Sequence, residues 1–445
     1  PAPDSINTSA PNSTYFSTTG GTMAVLISSS CSLGKNIFIF VLSEAYPIFV
    51  VGQYLGLINM SRYKKLLGDY AILPIMFFEF EMERFQSLYE NEVDFNLSDS
   101  GVHPLTINDL LNEEEMRHFL NMEIGYGYSQ GDPTLRNSIS VWYREKNASN
   151  ILVTNGSAEA NFIMAWSLVN PGDEVILMLP NYMQVPGLAK IIGADIKYIY
   201  LQEQSGWHLD MNELRSLLTN RTKLISICNP SNPTGAVMSA EEMKELADLA
   251  RQFDVYVHSD EVYRGSELDG NETKSFNEFY EKTIVTCGLS KSFAHPGLRI
   301  GWLVADQALI TEMWAHKDYS SICASVLSQA IAKKIMQPET RKQILSRSTK
   351  MLSSNLQLFQ DWLNSHPGLF SFAPPQAGGM AFVGYQMDIN STELAHKLRT
   401  EQSVLIVPGD CYGMDKYLRF GIGSPSDYLS QGLNLVSECI QQLDY

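Results

Sequence analysis

Lys291 opens the chemistry of this chain. It lies in Ser290-Lys291-Ser292-Phe293-Ala294-His295-Pro296-Gly297-Leu298-Arg299, a Gly/Pro-broken run with a lysine and, eight residues on, an arginine. A lysine amine can condense with an aldehyde to a Schiff base, and a guanidinium can hold a dianionic phosphate. Pyridoxal phosphate carries both groups on one ring, so the run points to that cofactor. Its pyridine nitrogen must stay protonated if the ring is to draw electrons from a carbanion, and an adjacent carboxylate favours that state. Asp260, in His258-Ser259-Asp260-Glu261-Val262-Tyr263, is the candidate; strand alternation turns the competing Glu261 to the other face. Tyr263 can reach the phenolic oxygen of the ring. The plain alternatives are a solvated lysine, a helix-capping aspartate and a core tyrosine.

Three further runs supply contacts. Asn155-Gly156-Ser157-Ala158-Glu159 follows an apolar run and opens a helix, where free N–H groups and the helix dipole attract phosphate. With Arg299 it forms a two-sided phosphate cup. Asn229-Pro230-Ser231-Asn232-Pro233-Thr234-Gly235 is a rigid polar turn whose asparagine can donate to the ring oxygen, although prolines and glycine also suit an ordinary turn. Tyr182 could stack on the pyridine ring or serve as a core aromatic. Arg419, in Tyr417-Leu418-Arg419-Phe420-Gly421, could pair with an amino-acid carboxylate or make a surface salt bridge.

These residues must be positioned by regular elements. Between about 151 and 305, strand-length apolar runs end at polar or Gly/Pro signals: 151–154, 174–179, 223–228, 255–258 and 283–287. Helical patterns lie between them, one opened by the capping-box pattern Ser239-Ala240-Glu241-Glu242. Such alternation predicts an α/β fold with a mainly parallel central sheet covered by helices, with ligands bound beyond the carboxyl ends of the strands. After about 325 the pattern becomes a smaller α+β domain, with strands at 370–372, 380–383 and 404–407 and a helix over 392–398. The expected division is 1–70 as an extension, 71–124 as a segment joining the small domain, 125–325 as the large cofactor-binding domain and 326–445 as the small domain.

The 445 residues are 44% hydrophobic and 18% charged, enough for a sizeable core, and the formal net charge of -17 argues against nucleic acid as a partner. Six scattered cysteines without a C-x-x-C pair read as reduced thiols, with no metal site. Residues 37–60 are largely apolar and followed by Arg62, Lys64 and Lys65, but Glu44 and Pro47 interrupt them. A packed or poorly ordered extension is therefore expected over a membrane anchor, in a cytoplasmic protein.

Taken together, the motifs resemble the class I/II aminotransferases, the fold type I pyridoxal-phosphate enzymes, from about 78 to 444. Tyr126-Gly127-Tyr128-Ser129-Gln130-Gly131, Pro171-Gly172-Asp173 and Gly297-Leu298-Arg299-Ile300-Gly301-Trp302 complete the ordered set. The resemblance implies Lys291 as the Schiff-base lysine, Asp260 as the pyridinium partner, and Tyr263 and Asn232 on the ring oxygen. It implies Arg299, Gly156, Ser157, Ala158 and Ser290 around the phosphate, and Arg419 on the substrate α-carboxylate, with Asn232 and Gly101 on the substrate side. Tyr126 matches a tyrosine that reaches the neighbouring subunit's phosphate, which implies a homodimer with shared sites. One departure stands out: Gly288 occupies the place of a common Ser or Thr phosphate ligand three residues before the lysine. His295, where an apolar residue is common, reads as loop packing. Segments 98–103, 378–382 and 404–409 are similar to the capreomycidine synthase subgroup, which cyclises its substrate. The expected reaction is ping-pong transfer of an amino group between an L-amino acid and a 2-oxo acid. Elimination or cyclisation at Cβ or Cγ is the alternative, and a non-catalytic homologue the second.

Overall fold

The computed structural model describes residues 78–443 and, ahead of them, the backbone of five strands. The chain divides into two compact units, 1–78 and 79–445. In the first, β1 (Thr14–Thr19), β2 (Thr22–Ser30), β3 (Asn36–Val41) and β4 (Phe49–Val51) pair antiparallel in succession, and β5 (Leu73–Pro74) joins β4 in parallel. Expectations about the side chains of 1–70, including a membrane anchor over 37–60, lie outside the described residues. Among the described residues, no helix is long and apolar enough to cross a membrane.

The second unit is built on a seven-stranded sheet. Its strands are β7 (Ile151–Thr154), β8 (Glu174–Leu179), β9 (Asp195–Tyr200), β10 (Thr222–Cys228), β11 (Tyr256–Asp260), β12 (Thr283–Gly288) and β13 (Gly301–Val304). They lie in the order β7-β13-β12-β11-β10-β8-β9, all parallel except β13, which runs against both neighbours. Two of these strands escape the sequence patterns. β9 is an edge strand whose burial is mostly partial, and β13 is only four residues long, starting at the end of the Gly297–Trp302 motif and running two residues past it.

Both faces of the sheet are covered because its strands are apolar on both sides. In β8, Val175 and Leu177 pack with Ala160, Ile163 and Met164 of helix Gly156–Leu168. Ile176 and Met178 pack on the other side with Met243, Leu246 and Ala250 of helix Ala240–Phe253. Each such fully buried aliphatic side chain contributes roughly 1.5–3 kcal/mol. The second helix starts where the sequence predicts: Ser239 Oγ accepts from the Glu242 amide at 3.2 Å, and Glu242 Oε2 accepts from the Ser239 amide at 2.7 Å.

The C-terminal part carries β14 (Phe370–Phe372), β15 (Met380–Tyr385), β17 (Val407–Pro408) and β18 (Tyr417–Gly421) in one antiparallel sheet. The expected single run 404–407 is broken at Ile406. β16 (Val404–Leu405) pairs in parallel with β6 (Phe95–Asn96), while β17 pairs with β18. Strand alternation gives β15 two cores. Met380 and Phe382 pack toward the large-sheet cluster, and Ala381, Val383 and Tyr385 pack with Leu418, Phe420 and Phe359. Arg419, between Leu418 and Phe420, therefore points away from that second core, toward the large sheet.

Candidate active site

The carboxyl ends of β7, β8, β10, β11 and β12 converge on a cavity of about 310 Å³. Its lining includes Ser157, Ala158, Tyr182, Asn232, Asp260, Tyr263, Ser290, Lys291, Arg299 and Arg419. Residues from five loops and from the C-terminal sheet thus meet in one space, across a sequence separation of more than 250 positions between Ser157 and Arg419.

Lys291 follows the end of β12, and its Nζ lies 3.1 Å from Asp99 Oδ1. Partial desolvation pushes the Asp99 carboxyl up, although its side chain is 54% exposed, but the Lys291 ammonium and the Gly101 N–H outweigh it and leave Asp99 below the usual carboxylate range. Asp260, at the end of β11, is buried, with Oδ2 accepting from Asn161 Nδ2 and Oδ1 from the Val262 amide, both at 3.1 Å. Burial pushes its carboxyl up to about 6, and those two donors only partly oppose it. Glu261 points away, accepting from Ser275 Oγ at 2.9 Å and the Phe276 amide at 2.8 Å. Alternation in the strand separates the two acids as expected.

Deeper in the cavity, the Tyr263 hydroxyl pairs with Ser100 Oγ at 2.8 Å, and burial raises its phenol well above the ordinary value. Asn232 Oδ1 accepts from Arg419 Nη1 at 3.0 Å, while Arg419 Nη2 donates to the Ser98 carbonyl at 2.6 Å. Tyr182 donates to Glu83 Oε1 at 2.8 Å and meets Phe80 edge-on, with ring centroids 5.1 Å apart.

Glycines shape the end of the cavity where Arg299 stands. Arg299, with φ of +50°, donates from Nη1 to the Pro296 carbonyl at 3.1 Å and lies 3.4 Å from Ser290 Oγ. A Cβ on Gly156 would stand 2.4 Å from Arg299 Nη2, and one on Gly301 would stand 2.4 Å from the Gly156 carbonyl carbon and the Ser157 nitrogen. Gly288 pairs with Gly301 across β12 and β13, and a Cβ there would stand 2.9 Å from the Ile300 carbonyl oxygen. A serine or threonine at 288 therefore has no room in this close packing, and Ser290 is the hydroxyl that stands beside Arg299.

These residues fit pyridoxal phosphate. Asp260 is a buried carboxylate whose hydrogen-bond partners include no cation, which a pyridinium would supply. The start of helix Gly156–Leu168 lies open to the cavity beside a guanidinium, which suits a phosphate.

Three expected residues stand outside the lining. Gly156 backs the Arg299 guanidinium. Gly101 donates its N–H to Asp99 Oδ1 at 2.9 Å and packs its carbonyl against Gly379 and Gly423. Tyr126 is 92% exposed, away from the cavity. His295 is buried, its Nδ1 against the Phe293 carbonyl, within the loop. Sequence reading missed Asn161, Asp99, Ser100 and Glu83. Asn161 carried a signal, as a polar residue among Ala160, Ile163, Met164 and Ala165 on an apolar helix; Asp99 and Ser100 lie in the 98–103 segment, which stood out only by its subgroup resemblance, and Glu83 lies in the short helix Glu81–Tyr89.

A family model for aminotransferase class I and II matches residues 100–434. Capreomycidine synthase of Streptomyces vinaceus is 28% identical over 350 residues, covering 77% of this chain and 89% of that protein. An aspartate aminotransferase of Bacillus sp. (strain YM-2) is 27% identical over 334 residues, covering 72% and 83%. Among solved structures, a PLP-dependent aminotransferase from Streptococcus suis 89-1591 superposes with a TM-score of 0.79 at 31% identity, covering 83% of this chain and 99% of that one.

Proposed function

Because the chain belongs to the class I and II aminotransferases, pyridoxal-phosphate enzymes of fold type I, we propose that it moves an amino group from an L-amino acid to a 2-oxo acid. The observation that carries the reading is the convergence of Lys291, Asp260, Arg299 and Arg419 on a single cavity. When bound, the cofactor supplies an aldehyde for the amine and a ring that spreads the charge left at the substrate Cα.

The chain's own residues do the rest. Lys291 would provide the amine that holds the cofactor and would carry the proton at the substrate Cα. Asp260, fixed by Asn161 and the Val262 amide, keeps the ring nitrogen protonated. Tyr263 and Asn232 orient the ring oxygen. Arg299, Ser290 and the Ser157–Ala158 turn hold the phosphate. Arg419 pairs with the α-carboxylate, its geometry set by Asn232 and the Ser98 carbonyl.

Cofactor-loaded protein mixed with single amino acids should release one equivalent of 2-oxo acid per site, with parallel-line kinetics when a second oxo acid is added. Turnover without oxo-acid release would refute transamination. That outcome would favour the second reading, elimination or cyclisation at Cβ or Cγ, which the similarity to capreomycidine synthase supports. We also propose a homodimer, supported by the exposed aromatic and aliphatic surface at Leu120, Ile124, Tyr126 and Tyr128.

A further inference from the structure

A line of side-chain amides joins the start of helix Gly156–Leu168 to the carboxylate at the end of β11. Gln184, the first residue of helix Gln184–Ile192, donates from Nε2 to the Ala158 carbonyl at 2.8 Å. Its Oε1 accepts from Asn161 Nδ2 at 3.3 Å, and the same Nδ2 donates to Asp260 Oδ2 at 3.1 Å. Asn161 is 1% exposed and its Oδ1 has no hydrogen-bond partner, so its amide is oriented from the nitrogen side alone.

The direction of every bond in this line follows from its first member. A backbone carbonyl only accepts, so Gln184 must turn its amide nitrogen to Ala158 and its oxygen to Asn161. That oxygen only accepts as well, so Asn161 must present its own nitrogen, whose second hydrogen reaches Asp260. Reversing the Asn161 amide would set its oxygen against Gln184 Oε1 and lose that bond. An Asn161 free to turn serves either form of Asp260, donating to the carboxylate or accepting from the protonated acid. Held by Gln184, it serves only the carboxylate. Asp260 Oδ1 already accepts from the Val262 amide, so both carboxylate oxygens face donors, against a burial that favours the neutral acid. The titratable groups facing Asp260 are Cys228 of β10, Cys287 of β12, Tyr182 and Tyr263, and burial keeps each of them neutral, while Glu261 points to the other side of the strand.

We infer that Gln184 is a positioning residue for the reaction: by fixing the Asn161 amide as a donor it keeps Asp260 ionised, and through Asp260 it keeps the ring nitrogen protonated. The second half rests on the cofactor reading above; the first concerns the cofactor-free chain.

The test compares Gln184→Met, Asn161→Leu and the double variant Q184M/N161L, which remove the amides at similar side-chain size. In the cofactor-free protein, NMR of the carboxyl carbons follows the Asp260 titration directly. Gln184→Met should raise its midpoint by about half a pH unit and Asn161→Leu by about one, because each weakens a donor to the carboxylate. The double variant should match Asn161→Leu, since Gln184 acts only through Asn161. In the loaded protein, NMR of the ring nitrogen should show its proton released at a lower pH, in the same order. The kcat of Gln184→Met should fall about fivefold with little change in KM. An Asp260 midpoint unmoved in Gln184→Met, additive shifts in the double variant, or an unmoved ring nitrogen would overturn the inference. Gln184 is only partly buried, so Gln184→Met decides the matter alone if Asn161→Leu does not fold. If no cofactor binds at Lys291, the cofactor reading fails, and the Asp260 titration still decides whether Gln184 holds that carboxylate.

Discussion

At the residue scale, two side chains carry the sharpest consequences. Lys291 is the amine to which the proposed chemistry is bound, so Lys291→Ala should abolish covalent retention of cofactor after borohydride reduction and lower kcat by about 10³-fold or more. Mass spectrometry of the reduced protein checks the first outcome without any assay of turnover. Asp260 makes a prediction about the cofactor-free chain. Its carboxyl is lifted from an ordinary value of 3.8 to about 6, so the folded protein binds that proton more tightly than the unfolded one. The resulting stability is fully present below about pH 3.8 and is lost as pH rises through about 6, a decline of about 3 kcal/mol. Urea unfolding of the cofactor-free chain at pH 4.5 and pH 7 should therefore show a smaller loss in Asp260→Asn than in the unsubstituted protein. Equal losses would mean that Asp260 is not the group responsible.

At the element scale, the phosphate end depends on how closely β13 approaches the start of helix Gly156–Leu168. Gly301→Ala places a Cβ 2.4 Å from backbone atoms of Gly156 and Ser157. Overpacking of this kind costs about 1–3 kcal/mol, and here the only relief is to push the helix start out of the cup. Thermal unfolding should register the loss, and cofactor affinity should fall with it. Gly297→Ala, where nothing lies within 4 Å of the added carbon, should change the melting temperature little. At the opposite side of the sheet, Ser239→Ala removes one half of a reciprocal cap and should destabilise by about 1 kcal/mol without touching the cavity.

At the scale of the whole molecule, the cavity is assembled from both sheets. β18 delivers Arg419 and the turn after β10 delivers Asn232, and the two are joined by a 3.0 Å hydrogen bond. Tyr126 fits a contact beyond this chain, since it is 92% exposed and away from the cavity it is proposed to serve. Light scattering should give twice the mass of one chain. Tyr126→Ala should leave that mass unchanged while loosening cofactor retention, because it removes the proposed phosphate contact and not the body of the proposed interface. A monomer with full cofactor affinity would refute the shared site.

Sequence was enough to determine which residues face the carboxyl edge of the sheet. Apolar runs that stop at Asn155, Asn229 and Asp260 report strand ends directly, because strand length and alternation are local properties. Asp260 was separable from Glu261 for the same reason. The short β13 and the edge strand β9 were not legible, since four residues, or a half-exposed strand, carry little periodic signal. The partners of the chemistry were also hidden. Asp99 reaches Lys291 across 192 positions, Ser100 reaches Tyr263 across 163, and Asn161 reaches Asp260 across 99. No local pattern encodes such pairings. Only the packing of the 78–103 segment and of helix Gly156–Leu168 against the large sheet decided them.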